Sequence, residues 1–243
     1  MKRYFITFQY DGTAYHGWQV QPNGHSVQAA LQDALSTLLR TPCEVVGAGR
    51  TDAGVHASKM VAHLDLEEII DCGQVAYRLN RILPHDIAII SIMQVPLDMH
   101  ARFSAVERTY HYYIHTHKDP FVCQYSCLIP YPLDFEIMNE AGRILTTYED
   151  FGAFCKSHTD VKTTLCQVKT AQWDAISTHR YRFTITANRF LRNMVRAVVG
   201  TLIDVGRGKI TIEEFRDIIE SRKRTRAGES MPAHALFLHD IKY

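Results

Sequence analysis

The stretch GAGRTDAGVHASK, residues 47–59, sets Arg50 and Asp52 among residues too small to bury either one. Glycine lets the backbone take positive φ or come close to another surface. A charged tip in such a loop either forms a turn or meets a ligand, and an aspartate beside glycine is most often a turn former. The chemical use is different: an ionised carboxylate on an open loop can attack carbon or remove a proton. Local sequence leaves both uses open.

Two other segments carry residues of the same kind. Tyr110 shares a strand face with Tyr112 and Ile114 in the run VERTYHYYI, beside Arg108, where a buried core aromatic is the ordinary reading. In NRFLRNMVRAVVG, residues 188–200, helical spacing places Leu191, Val195, Val198 and Leu202 on one stripe, with Arg192 and Arg196 one turn apart along its edge. An arginine beside an apolar stripe either finds an acidic partner or carries its head out to water.

Metal and redox chemistry have weaker support. His111, His115 and His117 recur in and just beyond a strand pattern with no acidic or thiol partner at ligand spacing, so a polar strand face is expected there. The six cysteines contain no CxxC pair and read as free thiols. No dinucleotide fingerprint or phosphate loop is present, and no cofactor and no metal is expected.

Several elements must position these residues. Alternation over 4–10 predicts a strand, and 27–39 has helical spacing with Ser26 as cap. A strand at 59–66 follows the Arg-Thr-Asp loop, then a helix over 71–82 and a strand over 87–95. Beyond a junction near residue 102 come a strand at 106–116, a helix from Asp134 to about Thr147 and a strand at 181–187. Helices over 190–205 and 212–222 follow, the second opened by a Thr211–Glu214 capping box. Strands separated by single helices in both halves predict an α+β fold of two α/β domains, 1–102 and 103–243, with mostly antiparallel sheets.

At 243 residues, 46% apolar and 22% charged, the chain has the profile of a globular protein of two domains. No signal peptide and no run of eighteen apolar residues occurs, so a cytoplasmic protein without a membrane partner is expected. Net charge is only +1, but residues 176–226 hold twelve Lys or Arg against five Asp or Glu. That imbalance suits a face for nucleic acid or phosphate, and equally a plain basic surface helix.

Five motifs in order, YDGTAYHGWQVQP with SVQAALQDAL, GAGRTDAGVHA, HARFSAVERTYHYYI, NRFLRNMVRAVVG and RTRAGESMPAHALFL, resemble the tRNA pseudouridine synthase A family across the whole chain. The resemblance implies the pseudouridine synthase fold, with a catalytic cleft between two similar domains. It implies that Asp52 is the catalytic aspartate, that Tyr110 stacks on the target uracil and accepts a proton, and that Arg196 pairs with Asp52. Arg50 is similar to the family arginine that keeps the target nucleotide unstacked, and Leu236 to the apolar residue lining the other side of the base. Ala235 stands where the family commonly has glycine, a departure that bears on the pocket beside Leu236. The implied activity is isomerisation of uridine to pseudouridine at positions 38, 39 and 40 of the tRNA anticodon stem-loop, by a homodimer. A relative with other uridine targets, an N-glycosylase and a non-catalytic tRNA-binding module are the rival readings.

Overall fold

Alternating aromatic and aliphatic residues bury Tyr4, Ile6, Phe8 and Tyr10 in strand β1, Lys2–Tyr10, the centre of the first sheet. The computed structural model describes residues 1–22, 24–156 and 162–243. They form two compact units, one of residues 1–106 and 237–243, the other of 107–236.

In the first unit β1 pairs antiparallel with β3, His56–Leu66, on one side and with β4, Ile87–Val95, on the other. The outer edge of β3 is shared. The short β2, Val45–Gly47, runs antiparallel beside Ala62 to Leu64, while Phe237 and Leu238 run parallel beside His56 and Ala57. These last residues belong to β9, Leu236–Lys242, which brings the end of the chain into the first unit. Helix α1, Val27–Leu39, opens where Ser26 accepts from the Ala29 amide, as expected, and ends at Arg40 in the left-handed region. Helix α2, Cys72–Ile82, is capped by Asp71, whose carboxylate accepts from the Gln74 amide.

The second unit is built on β5, Glu107–His115, which pairs antiparallel with β8, Arg180–Ala187. The latter pairs antiparallel with β7, Val168–Ser177, and a two-residue strand, β6, Cys127–Leu128, adds parallel to β5. Helix α3, Phe135–Leu145, packs on β7, and the Asn139 amide exchanges hydrogen bonds with the Trp173 backbone at 2.7 and 3.1 Å. Helix α5, Ile212–Ser221, carries the full expected capping box of Thr211 and Glu214.

The structure departs from periodicity at α4. The helix spans Met194–Gly206, four residues later than the spacing predicts, because Asn193 takes φ +64° and breaks the helical path. Arg192 therefore precedes the helix, is exposed, and is not one helical turn from Arg196. Nor is α4 a striped surface helix: Met194, Ala197, Val199, Ile203 and Val205 are buried alongside Val195, Val198 and Leu202. Among the described residues no helix is long and apolar enough to cross a membrane.

His63 ties a loop to the first sheet. It is buried on β3, its Nδ1 accepts from the Ala101 amide at 3.2 Å, and burial with Arg3 and His100 nearby pushes its pKa down to about 4. The unfolded chain binds this proton below about 6.5 while the folded chain refuses it until about 4, so stability falls as pH drops through that window. We expect His63→Gln to remove about 2–3 kcal/mol of the pH-dependent loss of unfolding free energy between pH 7 and 4, measured by urea titration against the parent.

Candidate active site

Asp52 sits on the connection from β2 to β3, and that connection is clamped by the loop that follows β1. The Val55 amide donates to the Asp52 carbonyl at 3.1 Å, closing a turn in which Gly54 has φ +75°. Asp52 is thus the first residue of a β-turn, and the turn reading and the chemical reading of this loop are compatible. Thr51, beside it, is buried, whereas Asp52 is partly exposed and Arg50 exposed.

Five contacts hold the turn. The Trp18 amide donates to the Thr51 carbonyl at 3.2 Å, and the Gly54 amide to the Tyr15 carbonyl at 3.4 Å. The Tyr10 hydroxyl and Thr51 Oγ1 share a buried hydrogen bond of 2.8 Å. Two glycines let the backbones meet: a Cβ at Gly17, itself at φ +92°, would lie 2.4 Å from the Thr51 carbonyl oxygen, and one at Gly12 would lie 2.0 Å from that of Val55.

His56, the first residue of β3, is buried against the ring of Phe237, with centroids 4.5 Å apart. Its Nδ1 is 3.0 Å from both the Gly12 amide and an Asp11 carboxylate oxygen. One ring nitrogen donates to the carboxylate or accepts from the amide, not both at once. The sequence reading used Asp11, Gly12, Tyr10, Gly17 and His56 only as parts of motifs. The signal that singles them out is a pair of glycines spaced through an aromatic loop.

In the second unit the candidates lie on β5, α4 and the segment before β9. Tyr110 is opposite Ile185 in the β5–β8 pair, half-buried, with its ring edge-on to Phe190 at 5.0 Å. Its same-face neighbour Tyr112 has the core role: it is fully buried, its hydroxyl donates to the Pro232 carbonyl at 3.0 Å, and burial drives its pKa far above the usual phenol range. Such a phenol stays neutral near pH 7.

Arg196, in the first turn of α4, donates from Nε to the Met231 carbonyl at 2.5 Å. Tyr112 and Arg196 therefore grip consecutive carbonyls, those of Pro232 and Met231. Leu236 is buried at the start of β9, after a turn of 3₁₀ helix in which Ala235 is fully buried. His115, considered for metal binding, instead shares a hydrogen bond with Ser126 at 2.9 Å. Among the described residues no three His, Cys, Asp or Glu side chains are grouped to hold a metal ion.

A sequence model described as tRNA pseudouridine synthase matches residues 6–104 and 148–243. The chain belongs to the tRNA pseudouridine synthase family. The first matched span carries the clamp and the Asp52 turn, and the second carries α4 with Arg196 and the segment before Leu236. Relatives named tRNA pseudouridine synthase A include one from Bacteroides thetaiotaomicron, 56% identical over all of this chain and 91% of its own. One from Bacteroides fragilis is also 56% identical, over all of this chain and 97% of its own. One from Bacillus pumilus is 37% identical over 98% of this chain and 97% of its own. Tyr110 lies in the interval that the family model leaves unmatched, but inside the full-length similarity to the Bacteroides synthases.

The Tyr10–Thr51 hydrogen bond is a buried side-chain link at the residue next to Asp52. Removing either hydroxyl leaves its partner buried with a bond lost, which costs about 1–2 kcal/mol. We expect Tyr10→Phe and Thr51→Val each to lower unfolding free energy by about that amount, and the double variant to lose less than their sum by at least about 0.5 kcal/mol, in a urea-denaturation cycle.

Proposed function

We propose that the chain isomerises uridine to pseudouridine in tRNA, with Asp52 as the catalytic carboxylate. The observation that carries this reading is full-length similarity to proteins named tRNA pseudouridine synthase A, together with a turn that mounts Asp52 at five fixed points. The reaction breaks the bond from uracil N1 to ribose C1′ and rejoins the base through C5. The proton displaced from C5 is matched by one gained at N1, so nothing is oxidised or reduced and no redox cofactor is needed.

In this reading the target nucleotide leaves its stack, at a cost of about a few kcal/mol. Stacking of uracil on Tyr110 returns about 1–3 kcal/mol of that. Arg196 is the proposed partner of the Asp52 carboxylate, while Arg50 holds the nucleotide out and Leu236 lines the base. The anticodon stem-loop at positions 38, 39 and 40 is the proposed target, and the protein is proposed to act as a cytoplasmic homodimer. The cationic run between residues 176 and 226 supplies phosphate contacts.

Incubation of unmodified tRNA with the protein, followed by chemical mapping, is expected to place pseudouridine in the anticodon stem-loop. Asp52→Asn is expected to form none while still binding tRNA. Free uracil with an abasic site would make the protein a glycosylase, and binding without product in the parent would make it a tRNA-binding module. Tyr110→Phe is expected to slow single-turnover conversion with little change in tRNA affinity; unchanged conversion would leave Tyr110 with stacking alone.

A further inference from the structure

The carbonyl that orients Arg196 belongs to a strap, residues 227–232, laid along α4 and held there by polar side chains. A Cβ at Gly200 would lie 1.9 Å from the Glu229 carbonyl oxygen, so strap and helix touch backbone to backbone. The Gly228 amide donates to Thr201 Oγ1 at 2.9 Å, and the Met231 amide to the Arg196 carbonyl at 3.1 Å. At the centre is Ser230. Its oxygen accepts from Asn193 Nδ2 at 2.5 Å and from Arg224 Nη2 at 2.7 Å, which occupies both lone pairs. The other terminal nitrogen of Arg224 donates to the Gly228 carbonyl at 3.0 Å and the Ala227 carbonyl at 3.3 Å.

Asn193 is also the residue at φ +64° that starts α4 three residues before Arg196. Asparagine is among the few non-glycine residues that take this region readily, and here its side chain is bonded to Ser230 as well. The same hydroxyl thus fixes the entry to α4 and the strap that carries the Met231 carbonyl. A guanidinium is planar and rigid, so the Nε–H bond to Met231 restrains the direction of the whole Arg196 head.

We infer that Arg224 and Ser230 are positioning residues that set the orientation of Arg196 through the 227–232 strap. The inference rests on the reading that Arg196 acts in the reaction. Arg224 stands in the cationic run, where phosphate binding is the competing role, and the two roles separate on replacement by lysine. A lysine keeps the charge that a phosphate needs but loses the fork that reaches two carbonyls and a hydroxyl together.

The test is steady-state kinetics on full-length protein with unmodified tRNA, beside thermal melting of each variant. Arg224→Lys and Ser230→Ala are expected to lower kcat about tenfold with KM for tRNA changed by less than about twofold, and Ser230→Thr to recover most of the rate. In an Arg196→Lys background, Ser230→Ala is expected to add less than about a twofold loss, because the head it orients is gone. Parental kcat in both single variants, a change in KM alone, or a full tenfold further loss in the Arg196→Lys background would each overturn the inference. Parental rates in Arg196→Lys would instead remove the reading of Arg196 itself, and the positioning role with it; a slow Arg196→Lys beside a fast Ser230→Ala would remove only the positioning role.

Discussion

Backbone against backbone, with no side chain between, is the contact on which the first unit's candidate chemistry depends. The loop after β1 meets the Asp52 turn at Gly12 and Gly17, where an added methyl group would sit 2.0 and 2.4 Å from carbonyl oxygens. At such separations the hydrogen bonds from Trp18 and Gly54 can form, and the Tyr10 hydroxyl reaches Thr51 in a dry setting. A carboxylate on an unsupported glycine-rich loop would sample many positions. Here Asp52 heads a closed turn whose flanking carbonyl and hydroxyl are both engaged.

The second unit solves a similar problem by different means. Its candidate side chains stand on regular elements, Tyr110 on a central strand and Arg196 on a helix buried almost all round, so their backbones need no clamp. What needs control is the direction of a long, flexible arginine. Carbonyls supply it, because the segment before β9 presents the Met231 oxygen to Arg196 and the Pro232 oxygen to Tyr112. Tyr112 shows how similar residues divide their work: two positions from Tyr110 on the same strand, it is sealed in the core and tied by its hydroxyl, while Tyr110 keeps part of its surface open.

Local signals in the sequence identify the elements that form from nearby residues. The strands at β1 and β4, the cap at Ser26 and the Thr211–Glu214 box follow from alternation or from a side chain reaching an amide three residues on. Strands β2, β6, β7 and β9 were not legible: β2 and β6 are very short, β7 buries Val168, Ala171 and Trp173 without a regular alternation and shifts register at both ends, and β9 joins a partner some 180 residues earlier in the chain. The start of α4 was misread for a related reason. NRFLRN has helical composition, but Asn193 stands at a left-handed φ with its side chain bonded to Ser230, a residue 37 positions further on.

For the site, residue types left Asp52, Tyr110 and Arg196 with more than one reading, and the resemblance carried by the ordered motifs made them candidates together with Arg50 and Leu236. Tertiary structure decided what each is mounted on. That Asp11 and Gly12 converge on one nitrogen of His56, that Tyr10 reaches Thr51, and that Asn193 reaches Ser230 are facts about residues dozens of positions apart. No periodicity encodes such meetings. They depend on how the chain closes on itself, which is settled by the packing of all the elements together rather than by any stretch of sequence taken alone.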